Sequence, residues 1–252
     1  MSTGRSGARP VLAGCRIIVS EVRAAGASLA TNHAAGVDEL GRALGAAGAD
    51  VMRVSASRSM APAPAVMRRA VHRAGSGGAD AVLFASSSVS WIEAAASTGA
   101  LEAIRRRADA DRFLLIAKDE EEVRRLQGVR LPARLVEPEA PTGLAGCVVA
   151  HYGSGRGSLL TDAGSLQVRS GGVVLDGRFL PLSRGAVGLI EALFLARGRV
   201  LSRGELGQEL PGGERSGRAV EVAVARLRES LGGIDLIQTV VKRGYRLAVS
   251  EP

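Results

Sequence analysis

Aromatic side chains and cysteines are both scarce in this sequence. Its 252 residues include one Trp, two Tyr and four Phe, so Val, Leu, Ile and Ala must fill the cores. The only cysteines, Cys15 and Cys147, lie far apart and form neither a disulfide framework nor a zinc site. We expect both thiols to be buried as small apolar groups in a reducing compartment.

Long hydrophobic runs are also missing. No stretch reaches the ~18 consecutive apolar residues that a membrane span requires. The opening segment, MSTGRSGARPVLAG, lacks the apolar core of a signal peptide, and residues 1 to about 10 are expected to be a disordered lead-in. We therefore expect a cytoplasmic protein with no membrane partner.

The residues that carry enzyme chemistry are few and scattered. The three histidines, His33, His72 and His151, do not have metal-ligand spacing, and no nucleophile lies near a base. The segment GSGRG at 153–157 follows no strand and precedes no Gly-Lys-Ser/Thr, so it is not a phosphate loop. We expect no cofactor, no metal and no catalytic residue.

Charge of one sign is in excess. Lys and Arg number 33 against 25 Asp and Glu, which gives a formal net charge of +8 and a pI near 10.7. A basic surplus favours polyanionic partners such as nucleic acid. By itself this is weak evidence, because the abundance of Ala, Gly and Arg is also typical of a GC-rich genome.

The first half of the chain alternates apolar strands with helices. Continuous apolar strands of this kind are typical of a parallel sheet covered on both faces, so residues 11–152 are predicted to be a flavodoxin-like, doubly wound α/β domain. A Gly- and Ser-rich linker is predicted at 153–159. The predicted strands are 15–20, 50–54, 80–86, 113–117 and 134–137, and the predicted helices are 33–47, 62–73, 91–107, 120–127 and 142–151.

The second half, 160–250, has a different rhythm. Two short strands, 165–169 and 172–175, lead to the turn signal Asp176-Gly177 and precede three helices, and two β-rich runs follow around a basic tip at 241–244. Strands, three helices and a hairpin in this order indicate an α+β winged helix-turn-helix domain.

The third of these helices, 216–231, has the features of a DNA-recognition helix. Arg218, Val222 and Arg226 are spaced by four on the face away from the apolar stripe. Arginine pairs with guanine in the major groove, and a small apolar side chain can contact a thymine methyl group. The alternative is a surface helix with solvated arginines. The candidate DNA-contacting residues in and around this helix are Arg215, Ser216, Arg218, Ala219, Val222 and Arg226.

The basic hairpin tip favours the DNA-binding interpretation. Lys242 and Arg243 at a β-turn beside Tyr245 form a finger that can enter a minor groove or hold phosphates. Lys242, Arg243 and Tyr245 are therefore candidate DNA contacts as well.

The segment from Leu166 to Leu247 resembles the OmpR/PhoB-type DNA-binding domain along its whole length. The resemblance implies that the third helix enters the major groove and that the hairpin is the wing. It places Arg218 and Arg228 on phosphates, and Ala219, Val222 and Arg226 against bases. The matching stretches are VVLDGRFLPLS (173–183), LIEALF (189–194), GRVLSRGEL (198–206), RAVEVAVARLRESLG (218–232) and LIQTVVKRGYRL (236–247).

The sequence departs from this family at several backbone-contacting positions. Ala223 and Ala225 replace side chains that are often polar or basic, Val241 replaces a frequent Arg, and Pro211 replaces a common Trp. Fewer phosphate contacts weaken binding by one domain, so we expect a homodimer on a repeated site.

Residues 11–152 do not have the pattern of a phosphorylatable receiver, which needs an Asp at the end of its third strand. That strand is followed here by Ser86, Ser87 and Ser88, which we expect either to bind an anionic group or simply to cap the next helix. The domain resembles one half of a uroporphyrinogen-III synthase (HemD) instead. The stretches concerned are LAGCRIIVSE, VDELGRALGAAGADVMRVS, ADAVLFASSSVSWIEAA and RLVEPEAPTGLAGCVVAHY.

The sequence thus predicts a double-stranded-DNA-binding transcription regulator, associated with the nucleoid when bound, and not an enzyme. The first domain is expected to dimerise or to sense a small-molecule effector without phosphorylation, and RNA polymerase is a further possible partner. Two alternatives stay open. One is a synthase-like enzyme with a DNA-binding appendage, which the presence of a single lobe disfavours; the other is an atypical, phosphorylation-independent response regulator.

Overall fold

We describe the protein from a computed structural model that defines residues 10–23, 30–57, 64–136, 143–210 and 216–250. Among these residues, no helix combines the length and the apolar character needed to cross a membrane. The candidate residue Arg215 lies outside the described residues.

A five-stranded parallel sheet forms the centre of the first domain. Its strands are β1 (Arg16–Arg23), β2 (Asp50–Ser57), β3 (Ala81–Phe84), β4 (Leu114–Ala117) and β5 (Ala133–Leu135). They lie in the order β2-β1-β3-β4-β5, and each neighbouring pair is parallel. The order reverses between β1 and β3, as in flavodoxin-like folds, which confirms the predicted fold class.

Helices cover both faces of this sheet. They are α1 (Ala30–Ala46), α2 (Ala65–Gly75), α3 (Val89–Ser97), α4 (Leu101–Asp109), α5 (Glu120–Gly128) and α6 (Gly143–Gly153). One apolar cluster packs α2 to α5 against one face, and a second packs α1 and α6 against the other. The alternation of strand side chains explains the division, since Ile18 and Val82 enter the first cluster while Ile17 and Ala81 enter the second.

Two expectations for this domain were wrong. The single helix predicted over 91–107 is two helices, α3 and α4, because Gly99 adopts φ +68° and ends the first of them. Cys15 is buried as expected, but Cys147 is exposed on α6. Helical periodicity alone did not reveal the break, since both helices contribute residues to the same apolar cluster.

The second domain is built on a four-stranded antiparallel sheet, three helices and a hairpin. The sheet contains β6 (Leu159–Thr161), β7 (Gly164–Arg169), β8 (Gly172–Leu175) and β9 (Arg178–Pro181), paired in chain order. The helices are α7 (Arg184–Leu195), α8 (Arg203–Gln208) and α9 (Gly217–Ser230), and the hairpin is β10 (Ile237–Val240) with β11 (Gly244–Leu247). The predicted winged-helix order is confirmed, whereas β6 and β9 were not predicted.

The β7–β8 turn of the second domain inserts into the first. Ser170 in this turn donates from its backbone N–H and from its hydroxyl to the Asp80 carboxylate, at 2.9 and 2.5 Å. The Arg169 guanidinium donates to the carbonyls of Val11 and Ala13, and the Gly171 N–H donates to the Gly14 carbonyl. These contacts lie at the edge where β1 and β3 begin, opposite the edge where doubly wound folds bind ligands.

A buried charge cluster reinforces this junction. Arg107 Nε on α4 donates to Glu191 Oε1 on α7 at 2.6 Å, and both side chains are nearly inaccessible. Arg112 is fully buried between Glu191 and Asp80, at 3.9 and 4.0 Å, with its guanidinium 5.7 Å from the Phe194 ring centroid. Two arginines and two carboxylates from both domains therefore balance one another away from water.

Candidate DNA-binding interface

Helix α9 presents a basic face to solvent because its apolar residues repeat at helical spacing. Val220, Val224 and Leu227 are buried against α7 and the hairpin. On the opposite side Arg218 and Arg226 are exposed, and Val222 between them keeps 46% of its surface accessible. The predicted line of three residues spaced by four therefore exists on the surface of the helix.

A shallow groove of about 550 Å³ runs between this face and the start of α7. None of its described lining residues carries a carboxylate, and these residues are small or apolar except for the two arginines. An apolar groove edged by guanidinium groups suits base edges and thymine methyl groups flanked by phosphates. The lining residues are Ser183, Gly185, Ala186, Leu210, Ser216, Arg218, Ala219, Val222, Ala223, Arg226 and Ser230.

The N-termini of α8 and α9 carry serine caps. The Ser216 hydroxyl accepts from the Ala219 N–H at 3.4 Å. Ser202 and Glu205 form a capping box, in which the Glu205 carboxylate accepts from the Ser202 N–H at 2.8 Å. That bond, together with Arg199, lowers the pKa of Glu205 to about 2. These caps fix the residues at which both helices begin, and so help to fix the orientation of α9 on the domain.

The wing tip is fully exposed. Lys242 adopts φ +61° in the turn, and Val241, Lys242 and Arg243 all project into solvent, with Val241 77% accessible. Gly244 closes the turn at φ +140°, where an added Cβ would lie 2.0 Å from the Leu201 carbonyl oxygen. The hairpin thus holds two cations and an apolar side chain away from the body of the domain.

Arg228 and Tyr245 face inward. The Arg228 guanidinium donates to the Ile237 carbonyl at 2.6 Å and to the Thr239 hydroxyl at 2.9 Å. Tyr245 is only 5% exposed, and the guanidinium carbons of Arg203 and Arg228 lie 5.7 and 5.9 Å from its ring centroid. Both residues therefore connect α9 to the wing through contacts within the protein, and these contacts do not involve DNA.

Arg203 is a connecting residue that sequence reasoning missed. Its Nε donates to Glu221 Oε1 at 2.8 Å and so links α8 to α9. Together with the cation–π contact to Tyr245, this bond joins the two helices and the hairpin at one point. The pairing was invisible in the sequence because the two residues are eighteen positions apart on different helices.

The serine turn after β3 is closed by α5. Ser88 is fully buried, and both its N–H and its hydroxyl donate to Glu122 Oε2, at 2.7 and 2.5 Å. The Ser87 hydroxyl accepts from the Val89 N–H at 3.3 Å. Burial opposes ionisation of Glu122, but the bonds from Ser88 and Arg125 outweigh it and lower its pKa. A carboxylate of this chain thus occupies the position expected for an anionic ligand.

The described residues at this edge of the sheet do not form the acidic cluster of a phosphorylatable receiver. β1 leads through Ser20 to Glu21, whose carboxylate accepts from the Ser55 hydroxyl at 2.5 Å, and β3 leads into the serines. Across the described part of the chain, no group of three or more His, Cys, Asp or Glu side chains is placed to hold a metal ion.

Fold and site together define a doubly wound α/β domain joined to a winged helix that presents a basic recognition face. Residues 177–247 match the family described as "Transcriptional regulatory protein, C terminal". The match covers just over a quarter of the chain and includes α7 to α9 and the wing. This part of the protein is therefore an OmpR/PhoB-type DNA-binding domain, as the sequence predicted. No match to the chain was found among curated proteins.

Several solved structures are similar to parts of the chain. The DNA-binding domain of Escherichia coli CadC is 29% identical and aligns over 36% of this chain and 94% of its own, with a TM-score of 0.31. The Klebsiella pneumoniae RstA DNA-binding domain, solved in complex with the RstA box, is 27% identical over 36% and 96%, with a TM-score of 0.31. The Thermotoga maritima response regulator DrrB is 17% identical over 93% and 99%, with a TM-score of 0.32.

Proposed function

We propose that this protein is a sequence-specific regulator of transcription that binds double-stranded DNA through α9 and the wing. One observation carries the proposal: the exposed line of Arg218, Val222 and Arg226 borders a groove whose described lining residues include no carboxylate, on a domain that matches the transcriptional-regulator family. In this proposal Arg226, Val222 and Ala219 read bases, while Arg218, Ser216, Lys242 and Arg243 hold the backbone. Arg215 completes the expected set of DNA contacts.

We propose that Arg228 and Tyr245 position the wing against α9. The Arg228 guanidinium donates hydrogen bonds to Ile237 and Thr239, and Tyr245 is buried between two guanidinium groups. With Ala223 and Ala225 also unable to hold phosphates, α9 has few backbone contacts. This scarcity supports a homodimer on two half-sites, because a second protomer multiplies the available contacts. Gel filtration of the protein with a two-half-site duplex tests that expectation, and a strict one-to-one complex contradicts it.

The first domain has two proposed roles, dimerisation and effector sensing. Because the serine turn and the winged helix lie at opposite edges of the parallel sheet, an effector bound at the serines acts through the length of the sheet. An anionic effector also has to displace Glu122 from Ser88. The resemblance to a uroporphyrinogen-III synthase lobe stays a prediction, because receivers share the same strand order. RNA polymerase likewise stays a proposed partner.

Two substitutions test the proposed reading of DNA. Arg226→Ala is expected to lower discrimination between an operator and a scrambled duplex by about 1–3 kcal/mol at the position it reads. Arg243→Ala is expected to weaken binding to both duplexes equally. It is also expected to reduce the slope of log affinity against log salt by about one. The matched control is Arg178→Ala, which removes an exposed arginine at the edge of the β8–β9 turn.

Titrations of both duplexes over a range of salt give the result. Equal losses on operator and scrambled DNA for Arg226→Ala contradict base reading by that residue. Losses for Arg178→Ala as large as those for Arg243→Ala contradict a specific role for the wing.

A further inference from the structure

A row of basic side chains occupies the exposed face of α2 in the first domain. Arg68, Arg69, His72 and Arg73 are all exposed there, and α2 contains no Asp or Glu. Arg69 and His72 lie one helical turn apart on the side that leads to the last turn of α2. A helix face of one charge sign attracts polyanions.

The last turn of α2 borders a cleft of about 760 Å³ between the two domains. His72 and Arg106 line one wall, and Arg184 and Leu210 line the other. Arg106 and Arg184 are both exposed, so the basic face of α2 continues across the cleft onto the winged helix.

The charges in this cleft leave a positive excess. Two ion pairs neutralise part of it, Arg107 with Glu191 and Arg199 with Glu205. Among the described lining residues, what remains is Arg106 and Arg184 against one carboxylate, Glu209. The charged or titratable lining residues are His72, Arg106, Arg107, Arg184, Glu191, Arg199, Glu205 and Glu209.

This cleft adjoins the groove beside α9. Leu210 lines both cavities. The first turn of α7 separates them, with Ser183 and Gly185 facing the groove and Arg184 facing the cleft. A path of basic and small residues therefore leads from Arg226 past Arg184 to α2.

The junction between the domains fixes this path. Asp80 binds Ser170, and Arg107 binds Glu191 at 2.6 Å inside the protein. The basic face of α2 consequently keeps a constant position relative to the recognition helix, as a shared binding surface requires.

We propose that the DNA-binding surface extends past Arg184 of α7 onto the first domain, where Arg106 and Arg69 contact the phosphates of the duplex flanking the operator. The inference rests on the function proposed above and adds the α/β domain to the DNA contact. It supplies backbone contacts that Ala223 and Ala225 in α9 do not make.

The test compares two duplexes and two double variants of the full chain. The short duplex contains only the selected operator, and the long duplex extends it by about ten base pairs, one helical turn, on each side. For Arg69→Ala with Arg106→Ala, the slope of log affinity against log salt is expected to fall by about two on the long duplex and to stay unchanged on the short one.

Two control variants distinguish the effect of these two positions from the effect of the total charge of the protein. Arg42→Ala with Arg124→Ala removes two exposed arginines on α1 and α5 and is expected to leave both slopes unchanged. Arg69→Lys with Arg106→Lys keeps the charge and is expected to retain the wild-type slope on the long duplex. Equal slopes for wild type and the Arg69/Arg106 alanine variant on the long duplex overturn the inference. Failure of the wild type to prefer the operator on either duplex overturns the proposed function itself.

Discussion

At the scale of single residues, backbone conformation decides where the wing can stand. Gly244 adopts φ +140° and lies so close to Leu201, the β-bridge partner of Tyr245, that a side chain has no space. Gly177 in the β8–β9 turn also has positive φ, +77°, but nothing lies within 4 Å of an added Cβ. Substitutions at these two glycines therefore distinguish the cost of positive φ from the cost of steric overlap.

We predict that Gly177→Ala lowers the free energy of unfolding by about 1–2 kcal/mol, the cost of left-handed backbone for a residue with a side chain. Gly244→Ala is expected to cost more, because the Leu201 carbonyl must also move, and to weaken DNA binding by displacing the wing. Urea unfolding of both variants measures the difference. Equal losses of stability contradict a steric role for Gly244.

The contacts of Arg228 could not be predicted from the sequence. The exposed line of Arg218, Val222 and Arg226 followed from helical spacing alone. The family resemblance placed Arg228 on a phosphate, but the folded hairpin provides the Ile237 carbonyl that accepts its hydrogen bond. The partner of an arginine depends on packing between elements that are distant in the sequence.

At the scale of elements, the capping box of α8 links helix geometry to pH. The hydrogen bond from Ser202 and the contact with Arg199 hold the pKa of Glu205 near 2, below its ordinary 4.5. A lowered carboxyl pKa contributes stability that is fully present above 4.5 and is lost as pH falls through 2.

We predict that Glu205→Gln destabilises the protein at about pH 6 and that its difference from wild type shrinks at about pH 3, where the wild-type contribution is itself declining. Urea unfolding at both pH values measures this. Glu229→Gln, at an exposed position near the end of α9, is the control. A difference for Glu205→Gln that does not change with pH contradicts the role of its ionised form.

Elements were predictable where one face is apolar and hard to predict where it is not. The five parallel strands and the recognition helix have strong patterns, and their order was correct. The break between α3 and α4 was missed because Gly99 sits in an otherwise helical run. Strand β6 was missed because it has only three residues, and β9 was missed because none of its four residues is buried.

At the scale of the whole molecule, the two domains are joined by buried charge. At the junction Glu191 lies beside both Arg107 and Arg112, and Arg112 also lies beside Asp80. Burial opposes ionisation of Glu191, but the two arginines outweigh it and lower its pKa, whereas burial raises the pKa of Asp80 despite Arg112. The short segment between α6 and β6 therefore does not leave the winged helix free to move. No sequence pattern predicted this cluster, since its members belong to four different elements or turns.

We predict that Glu191→Gln lowers the free energy of unfolding by about 3–5 kcal/mol, because it leaves buried guanidinium groups without their counter-charge. Calorimetry is expected to show one transition for the wild type and two for the variant, as the domains uncouple. Glu102→Gln, which breaks an exposed pair with Arg105, is expected to cost at most about 0.5 kcal/mol. A loss for Glu191→Gln no larger than this control contradicts the junction as described.

The central claim is that the whole chain recognises a particular DNA sequence. Selection from a pool of randomised duplexes, followed by titration of the enriched duplex and a scrambled version of it at physiological salt, tests this directly. We predict a preference for the enriched duplex of at least roughly 10³-fold. Equal affinity for both duplexes, or no enrichment at all, would contradict the account.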